Sequence, residues 1–200
     1  MTTYATLKSD IEALLPHSDY TESLKASFVR ICEAEIRRRV RIGPMEETDE
    51  AFSQSAQSTA LPTGFISMRA VALDSANGRN LDYLPPAKLR SSLVWSDSGE
   101  PRAYTIEGQN LVVAPFTAST LHLVYYKAFD ALSAGTDTNW ILTNAYDIYL
   151  YGSLRAAAEW TMDAAREAQY AQKFTKAIEE LNAEHRWARV SGSALIRTGA

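Results

Sequence analysis

The 200-residue sequence has a single cysteine, Cys32, so it has no internal disulfide. That usage fits a reducing compartment. Its nine glycines are dispersed, with neither G-x-G-x-x-G nor G-x-x-x-x-G-K, which argues against nucleotide binding through phosphate-cradling loops. No G-x-S-x-G elbow is present to present a nucleophile. The histidines are His17, His122 and His185. None has a second histidine three or four positions away or a glutamate at i−3, so metal-ligand spacing is missing and each reads as structural or solvated. No apolar run approaches the ~20 residues that span a bilayer. The N-terminus lacks a basic stretch followed by an apolar one, which argues against a signal peptide. Internal repeats and low-complexity tracts are also missing. With 20 Lys+Arg against 24 Asp+Glu, the formal charge is −4, without the basic excess of a dedicated nucleic-acid binder.

What is present is ordinary globular composition: 46% hydrophobic and 22% charged residues. A disordered chain would be poorer in apolar residues and richer in net charge. A chain of this length buries roughly 70% of its unfolded surface and needs no covalent or metal staple. One domain, or one domain carrying an insertion, is expected.

The hydrophobic period changes twice along the chain. Tyr4, Leu7, Ile11, Leu14 and Leu15 recur at helical spacing, and Pro16 ends that segment. Asp19 stands three residues before Glu22, a capping-box spacing, ahead of an apolar stripe through Leu24, Phe28, Ile31, Cys32, Ile36 and Val40. A helix over 21–40 follows, stopped at Gly43-Pro44. Residues 46–60 read as an extended loop or a weak edge strand. Residues 68–73 read as a strand, Asn77-Gly78 as a hairpin turn, and 80–84 as the returning strand. Pro86 to Leu93 reads as a short helix, and strands follow over 102–107, 111–114 and 119–128. In the last of these Leu121, Leu123 and Tyr125 alternate with His122, Val124 and Tyr126. Asn144 is placed to cap a nearly all-apolar helix over 145–162, in which Gly152 and Ala156 permit close approach of a neighbour. A last helix from Asp163 carries the seam Ala171, Phe174, Ile178, Leu181, His185 and Ala188.

The fold expected from this pattern is α+β: a bundle of about four helices with a small antiparallel β insertion between helices two and three. The expected parts are N-terminal bundle helices over 1–45, a β-rich insertion over 46–138, C-terminal bundle helices over 139–190 and a flexible docking tail over 191–200, forming one domain overall.

Chemistry is sparse. Cys32 lies on an apolar stripe between Phe28 and Ile36, the position of an inert buried thiol. Ser191-Gly192-Ser193 falls in the tail, where a precise site is not easily held. One charge cluster stands out: Arg37, Arg38, Arg39 and Arg41 beside Glu46, Glu47, Asp49 and Glu50. Three readings are open. The arginines complement a helix C-terminus; or Arg37, Arg38 and Arg41 with Glu46 and Glu47 form a subunit interface; or the arginines face DNA.

Seven stretches, in order and spacing, carry a resemblance. They are Leu61–Met68 (LPTGFISM), Leu81–Leu84 (LDYL), Pro101–Gly108 (PRAYTIEG), Leu121–Leu132 (LHLVYYKAFDAL), Asn139–Leu142 (NWIL), Tyr146–Leu154 (YDIYLYGSL) and Ser191–Arg197 (SGSALIR). Together they resemble the head-to-tail adaptor, or connector, proteins of tailed bacteriophages and related gene-transfer particles. The resemblance implies a non-enzymatic structural virion protein without cofactors, assembled in the host bacterial cytoplasm and located at the head–tail junction. It implies self-association into a closed ring of about twelve copies. The implied partners are the portal protein above, a tail or nozzle/stopper protein below, and double-stranded DNA passing through the lumen without specific binding. The portal-docking role falls on Trp187, Arg189, Leu195, Ile196 and Arg197. A mildly acidic subunit suits a conduit that does not grip phosphates. Two other classes compete: a small hydrolase without a recognisable motif, and a DNA-binding regulator using the Arg37–Arg41 helix end. Against the first stands the lack of a convergent nucleophile, base and charge-stabilising set; against the second, the acidic balance.

Overall fold

The computed structural model describes residues 2–74 and 78–191, the last five by their backbone alone. In chain order the elements are α1 (Tyr4–Leu14), α2 (Glu22–Arg39), a 3-10 turn (Gly43–Met45), β1 (Glu46–Gln54), β2 (Ser58–Ala60), β3 (Phe65–Leu73), β4 (Asp82–Tyr83), α3 (Pro86–Ser91), α4 (Leu93–Ser96), β5 (Ala103–Glu107), β6 (Asn110–Ala114), β7 (Ser119–Lys127), α5 (Trp140–Asn144), α6 (Tyr146–Trp160) and α7 (Ala164–Ser191). They form two compact units, Met1–Pro44 with Phe129–Ala200, and Met45–Ala128.

In the helical unit, side-chain caps set the helix starts. Thr3 Oγ1 accepts from Thr6 N, Thr21 Oγ1 from Leu24 N at 3.2 Å, and Asn139 Oδ1 from Leu142 N at 2.9 Å. The cap of α2 is therefore Thr21, nearer the helix than the Asp19 spacing implied. Helix α6 packs against α7, α2, α1 and α5, and buries Ile148, Tyr149, Leu154, Ala156, Ala157 and Ala158 among them. Gly152 explains how it fits. A Cβ there would fall 2.8 Å from Phe174 Cε2 on α7 and overlap the Cys32 Sγ of α2.

In the β unit, one sheet has the order β1-β7-β3 and the other β2-β6-β5-β4. Phe52, Val71, Leu73, Leu121, Leu123 and Tyr125 from the first sheet share one core with Tyr104, Leu111 and Val113 from the second. The other face of β5 and β6, through Ala103, Val112 and Ala114, packs against Leu89 of α3 and against Val94 and Trp95 of α4. Strand β6 thus buries both faces, which is why Leu111-Val112-Val113-Ala114 is a continuous apolar run. Gly64 turns into β3 with φ +80, where a Cβ would meet Lys127 Cγ at 3.2 Å.

The structure overturns the expected fold class. Among the described residues the chain is a mixed α/β protein with seven α-helices and seven strands in two sheets, not a four-helix bundle with a small β insertion. Three strands, β1, β3 and β7, each run nine residues, and α3 and α4 cover a sheet face. Nor is the β part wholly antiparallel, because β4 pairs parallel with β5. Residues 46–54 form an edge strand held by its ladder to β7, although only Phe52 and Gln54 are buried. At the hairpin, Gly78 has φ +49 and Leu73 N donates to Arg79 O at 2.8 Å, while Asn77 lies outside the described residues. The chain reverses there, but the return makes only an isolated bridge, Ala72 to Asn80, before β4 leaves for the other sheet. The expected helix over 145–162 is α6, Tyr146–Trp160, and a short unexpected helix, α5, precedes it and ends at Ala145 (φ −139, ψ 56). Asn139 caps α5, and Asn144, at its end, donates to Trp140 O instead of capping.

Candidate functional site

The arginine cluster is built where α2 ends against α7. The carbonyls of a helix's last turn lack intrahelical partners. Here Asn182 of α7 meets that end with both arms of its amide. Its Nδ2 donates to Arg39 O and its Oδ1 accepts from Arg41 N, each at 3.0 Å. The arginines on this clamp divide by role. Arg38 Nε donates to Ala34 O at 3.1 Å, and Arg41 Nη1 to Arg37 O at 2.8 Å. Arg39 lies over the Phe174 ring at 5.7 Å and 3.8 Å from Glu35. Arg39, Arg41, Asn182 and Arg186 line a depression of about 280 Å³. Of the predicted cluster, Arg39 and Arg41 line that depression and Arg186 joins them from α7, while Arg37 and Arg38 stand at exposed positions in the last turn of α2.

Glu46 and Glu47 belong to the other unit. Glu46 accepts from Arg69 Nη1 at 2.5 Å, and that guanidinium lies 5.8 Å from the centre of the Tyr126 ring. Glu47 sits 3.7 Å from Lys127 Nζ. Both carboxylates thus have cationic partners in their own sheet. Asp49 and Glu50 follow on the same strand; Asp49 Oδ1 accepts from Ala51 N at 3.1 Å. Of the docking residues, Leu195, Ile196 and Arg197 lie outside the described residues. Trp187 and Arg189 lie on the backbone course of α7, with their side chains outside the description.

Several polar groups inside the helical unit are matched to each other, although Tyr20 Oη and Ser153 Oγ are buried without a hydrogen-bond partner among the described residues. Leu132 N and Tyr149 Oη donate to Glu33 Oε1 at 2.8 and 3.4 Å, and Asn139 Nδ2 donates to Tyr149 Oη at 2.7 Å. Burial pushes the Glu33 carboxyl up, against the opposing backbone hydrogen bond from Leu132. Arg155 grips Glu35 with both guanidinium nitrogens and lies over Phe174 at 5.5 Å. Those hydrogen bonds hold Glu35 below its ordinary range. Burial pushes the Cys32 thiol far up, so it is not a thiolate at neutral pH. His17 stacks on Tyr20 and meets Trp160 edge-on, His122 pairs with Asp74 at 3.3 Å, and His185 meets Trp140 edge-on. Among the described residues no group of three or more His, Cys, Asp or Glu could hold a metal ion, and no helix is long and apolar enough to cross a membrane.

Sequence reasoning missed Asn182 and Arg186. Their spacing, i and i+4 on α7, puts them on one helix face, and that face meets the end of α2. The seam read along α7 was apolar, so a polar pair beside it carried no signal.

The assembled features are a surface cluster of arginines, an acidic edge strand and interiors whose ionisable groups pair internally: the traits of a protein that works through surfaces. The family profile described as SU10 adaptor protein matches residues 2–197. The chain belongs to that family, and is a structural component of a phage virion in the head–tail adaptor class. The resemblance read from the seven collinear stretches is the same identification. No curated protein matches the chain.

Proposed function

We propose that this chain forms the adaptor ring attached beneath the portal, linking capsid to tail and contributing a section of the DNA channel. The observation that carries this reading is the extent of the family match, residues 2–197, which takes in both units and runs into the C-terminal segment. Each copy brings a formal charge of −4, which suits a conduit that does not grip phosphates. The portal contact is assigned to Trp187, Arg189, Leu195, Ile196 and Arg197, at and beyond the end of α7. The tail or nozzle protein takes the opposite side of the ring.

Native mass spectrometry and electron microscopy of the full chain mixed with its portal test this reading. The expected result is a closed ring of about twelve copies on the portal. A chain that remains monomeric and unattached in that mixture overturns it. A chain truncated after Val190 is expected to keep its circular dichroism spectrum and melting temperature and to lose portal attachment. Normal attachment by that truncation removes the docking assignment while leaving the ring intact.

A further inference from the structure

The turn between α6 and α7 carries an exposed apolar residue that folding does not call for. Thr161 N, Met162 N and Asp163 N donate to Ala157 O, Glu159 O and Ala158 O, at 3.0, 3.1 and 3.0 Å. The last two bonds make a Schellman closure, in which the residue after the cap is left-handed and is usually glycine. Here that residue is Met162, with φ +57. A side chain at that φ is strained. Met162 is also 92% exposed, so packing inside the helical unit does not offset the strain. Strain of this kind persists at positions kept for binding.

Beside Met162 stands a fixed aromatic. Trp160, the last residue of α6, is 42% exposed, and its ring is held by His17 at 5.1 Å, Tyr20 at 5.8 Å and Phe28 at 6.4 Å. A tryptophan fixed in this way gives up little conformational freedom on binding, and tryptophan is enriched among residues that carry binding energy. Exposed carboxylates flank the pair. Asp19 lies 3.9 Å from His17, and Glu159 precedes Trp160. Asp163 has a structural duty, since its Oδ1 accepts from Arg166 N at 3.1 Å at the start of α7. Glu159 has none of that kind. It sits in the last turn of α6, where a carboxylate opposes the helix dipole and no basic residue stands. The surface is an apolar centre with an acidic rim.

Its place in the fold selects the occupant. Helix α7 runs 28 residues from this turn, about 40 Å. Residues 192–200 extend over at most about 30 Å, too short to fold back onto the turn. The portal contact is assigned to the far end of α7, which leaves this end for the other neighbour.

We propose that Trp160 and Met162, rimmed by Glu159 and Asp19, are the docking surface for the tail or nozzle protein, and that this partner presents an apolar side chain flanked by lysine or arginine. The assignment rests on the ring reading above and supplies the residues of its tail-side contact. The two apolar anchors carry the attachment, and the acidic rim sets its orientation and salt dependence.

Rings of the full chain on the portal are mixed with tails or nozzles isolated from the same virion, and joined complexes are counted by electron microscopy. Native mass spectrometry reads ring assembly, and circular dichroism melts read folding. Met162→Gly is expected to melt at or above the wild-type temperature, to form portal-bound rings normally and to join tails about tenfold less or worse. Met162→Leu keeps an apolar side chain and is expected to join close to the wild-type level. Glu159→Lys is expected to lower joining with rings intact, and wild-type joining to weaken as salt rises. Met162→Gly rings that join tails as well as the wild type overturn this inference and leave the ring reading standing. If Met162→Gly folds but forms no portal-bound ring, the turn is a contact between copies or with the portal, and the tail-side assignment fails. A wild-type chain that never joins the portal overturns the ring reading and this inference with it.

Discussion

Gly152 is the position where a single added methyl group should do the most damage. It lies in the middle of α6, between α2 on one side and α7 on the other. A Cβ placed there would sit 2.8 Å from Phe174 Cε2 and 3.1 Å from Cδ2, and would overlap Cys32 Sγ as well. Neither neighbour can retreat cheaply. Cys32 and Phe174 are both fully buried, and Phe174 carries Arg39 on one approach and Arg155 on another. Two opposed effects decide the size. Overpacking a well-filled core costs about 1–3 kcal/mol, and a clash against two helices belongs at the top of that range. Alanine in place of glycine within a helix returns about 1 kcal/mol. The net expectation for Gly152→Ala is a loss of about 2 kcal/mol, or a fall in melting temperature of about 4–8 °C for a chain this long. Circular dichroism at the helical minimum, followed through thermal and urea unfolding, measures it. Cys32→Ala, combined with Gly152→Ala, should recover part of the loss, so the double-mutant cycle should show a coupling of about 1 kcal/mol or more. A Gly152→Ala protein at least as stable as the wild type, or strict additivity in that cycle, would refute the close-packed account of α6.

Three other perturbations follow from the ion pairs and caps. Hydrogen bonds from Lys25 and then Lys8 hold Glu22 down at about 2 against an ordinary value of 4.5. Its folded value is the lower one, so its contribution is present above about pH 4.5 and is lost as the pH falls toward 2. Its side chain is 68% exposed, so screening leaves about 1 kcal/mol: Glu22→Gln should cost that at pH 7 and only a small part of it at pH 2. An equal cost at both pH values in denaturant titrations would contradict the ion-pair origin. Arg155→Ala leaves the Glu35 carboxylate, 18% exposed, without its bidentate partner and should cost about 3 kcal/mol by the same titration. Met162 ends α6 with φ +57 while its side chain is 92% exposed, so Met162→Gly should relieve strain and stabilise by about 1 kcal/mol, read as a higher melting temperature.

How much of this was legible depended on whether one face of each segment meets water. Helix α1 and helix α2 have a wet face, and their stripes through Leu7 and Ile11, and through Phe28, Cys32 and Ile36, marked them within a residue or two. Strand β7 alternates for the same reason, with Leu121, Leu123 and Tyr125 in the shared core. Strand β1 was hard to read because its stability is borrowed. Its side chains are mostly exposed and acidic, and its backbone ladder to β7, which no local pattern reports, makes it a strand. The parallel pairing of β4 with β5 is likewise a tertiary event across two short helices. The short helix α5 was not read from the sequence; Asn139 caps it and its amide also reaches Tyr149 and Asp130 O, whereas α6 starts at Ala145 without the side-chain cap expected from Asn144. At the candidate site the Arg37–Arg41 run was visible from the start. Its completion by Asn182 and Arg186 was not, since that needs the register of α7 against α2.

That register also decides which groups close the end of α2. A helix C-terminus packed on another helix must satisfy its last carbonyls, and basic side chains are one common means. Here Asn182 supplies much of it, taking Arg39 O and Arg41 N from the far helix. Arg41 adds a bond to Arg37 O and Arg38 one to Ala34 O, while Arg37 and Arg186 stand at exposed positions. A chain whose only need was a tidy helix end would not require guanidinium groups at these positions. In an assembly part this has a physical advantage. Exposed charges at a clamped helix end can be strong, solvent-reachable and salt-sensitive, while the core centred on Gly152, Phe174 and Tyr149 is packed without them.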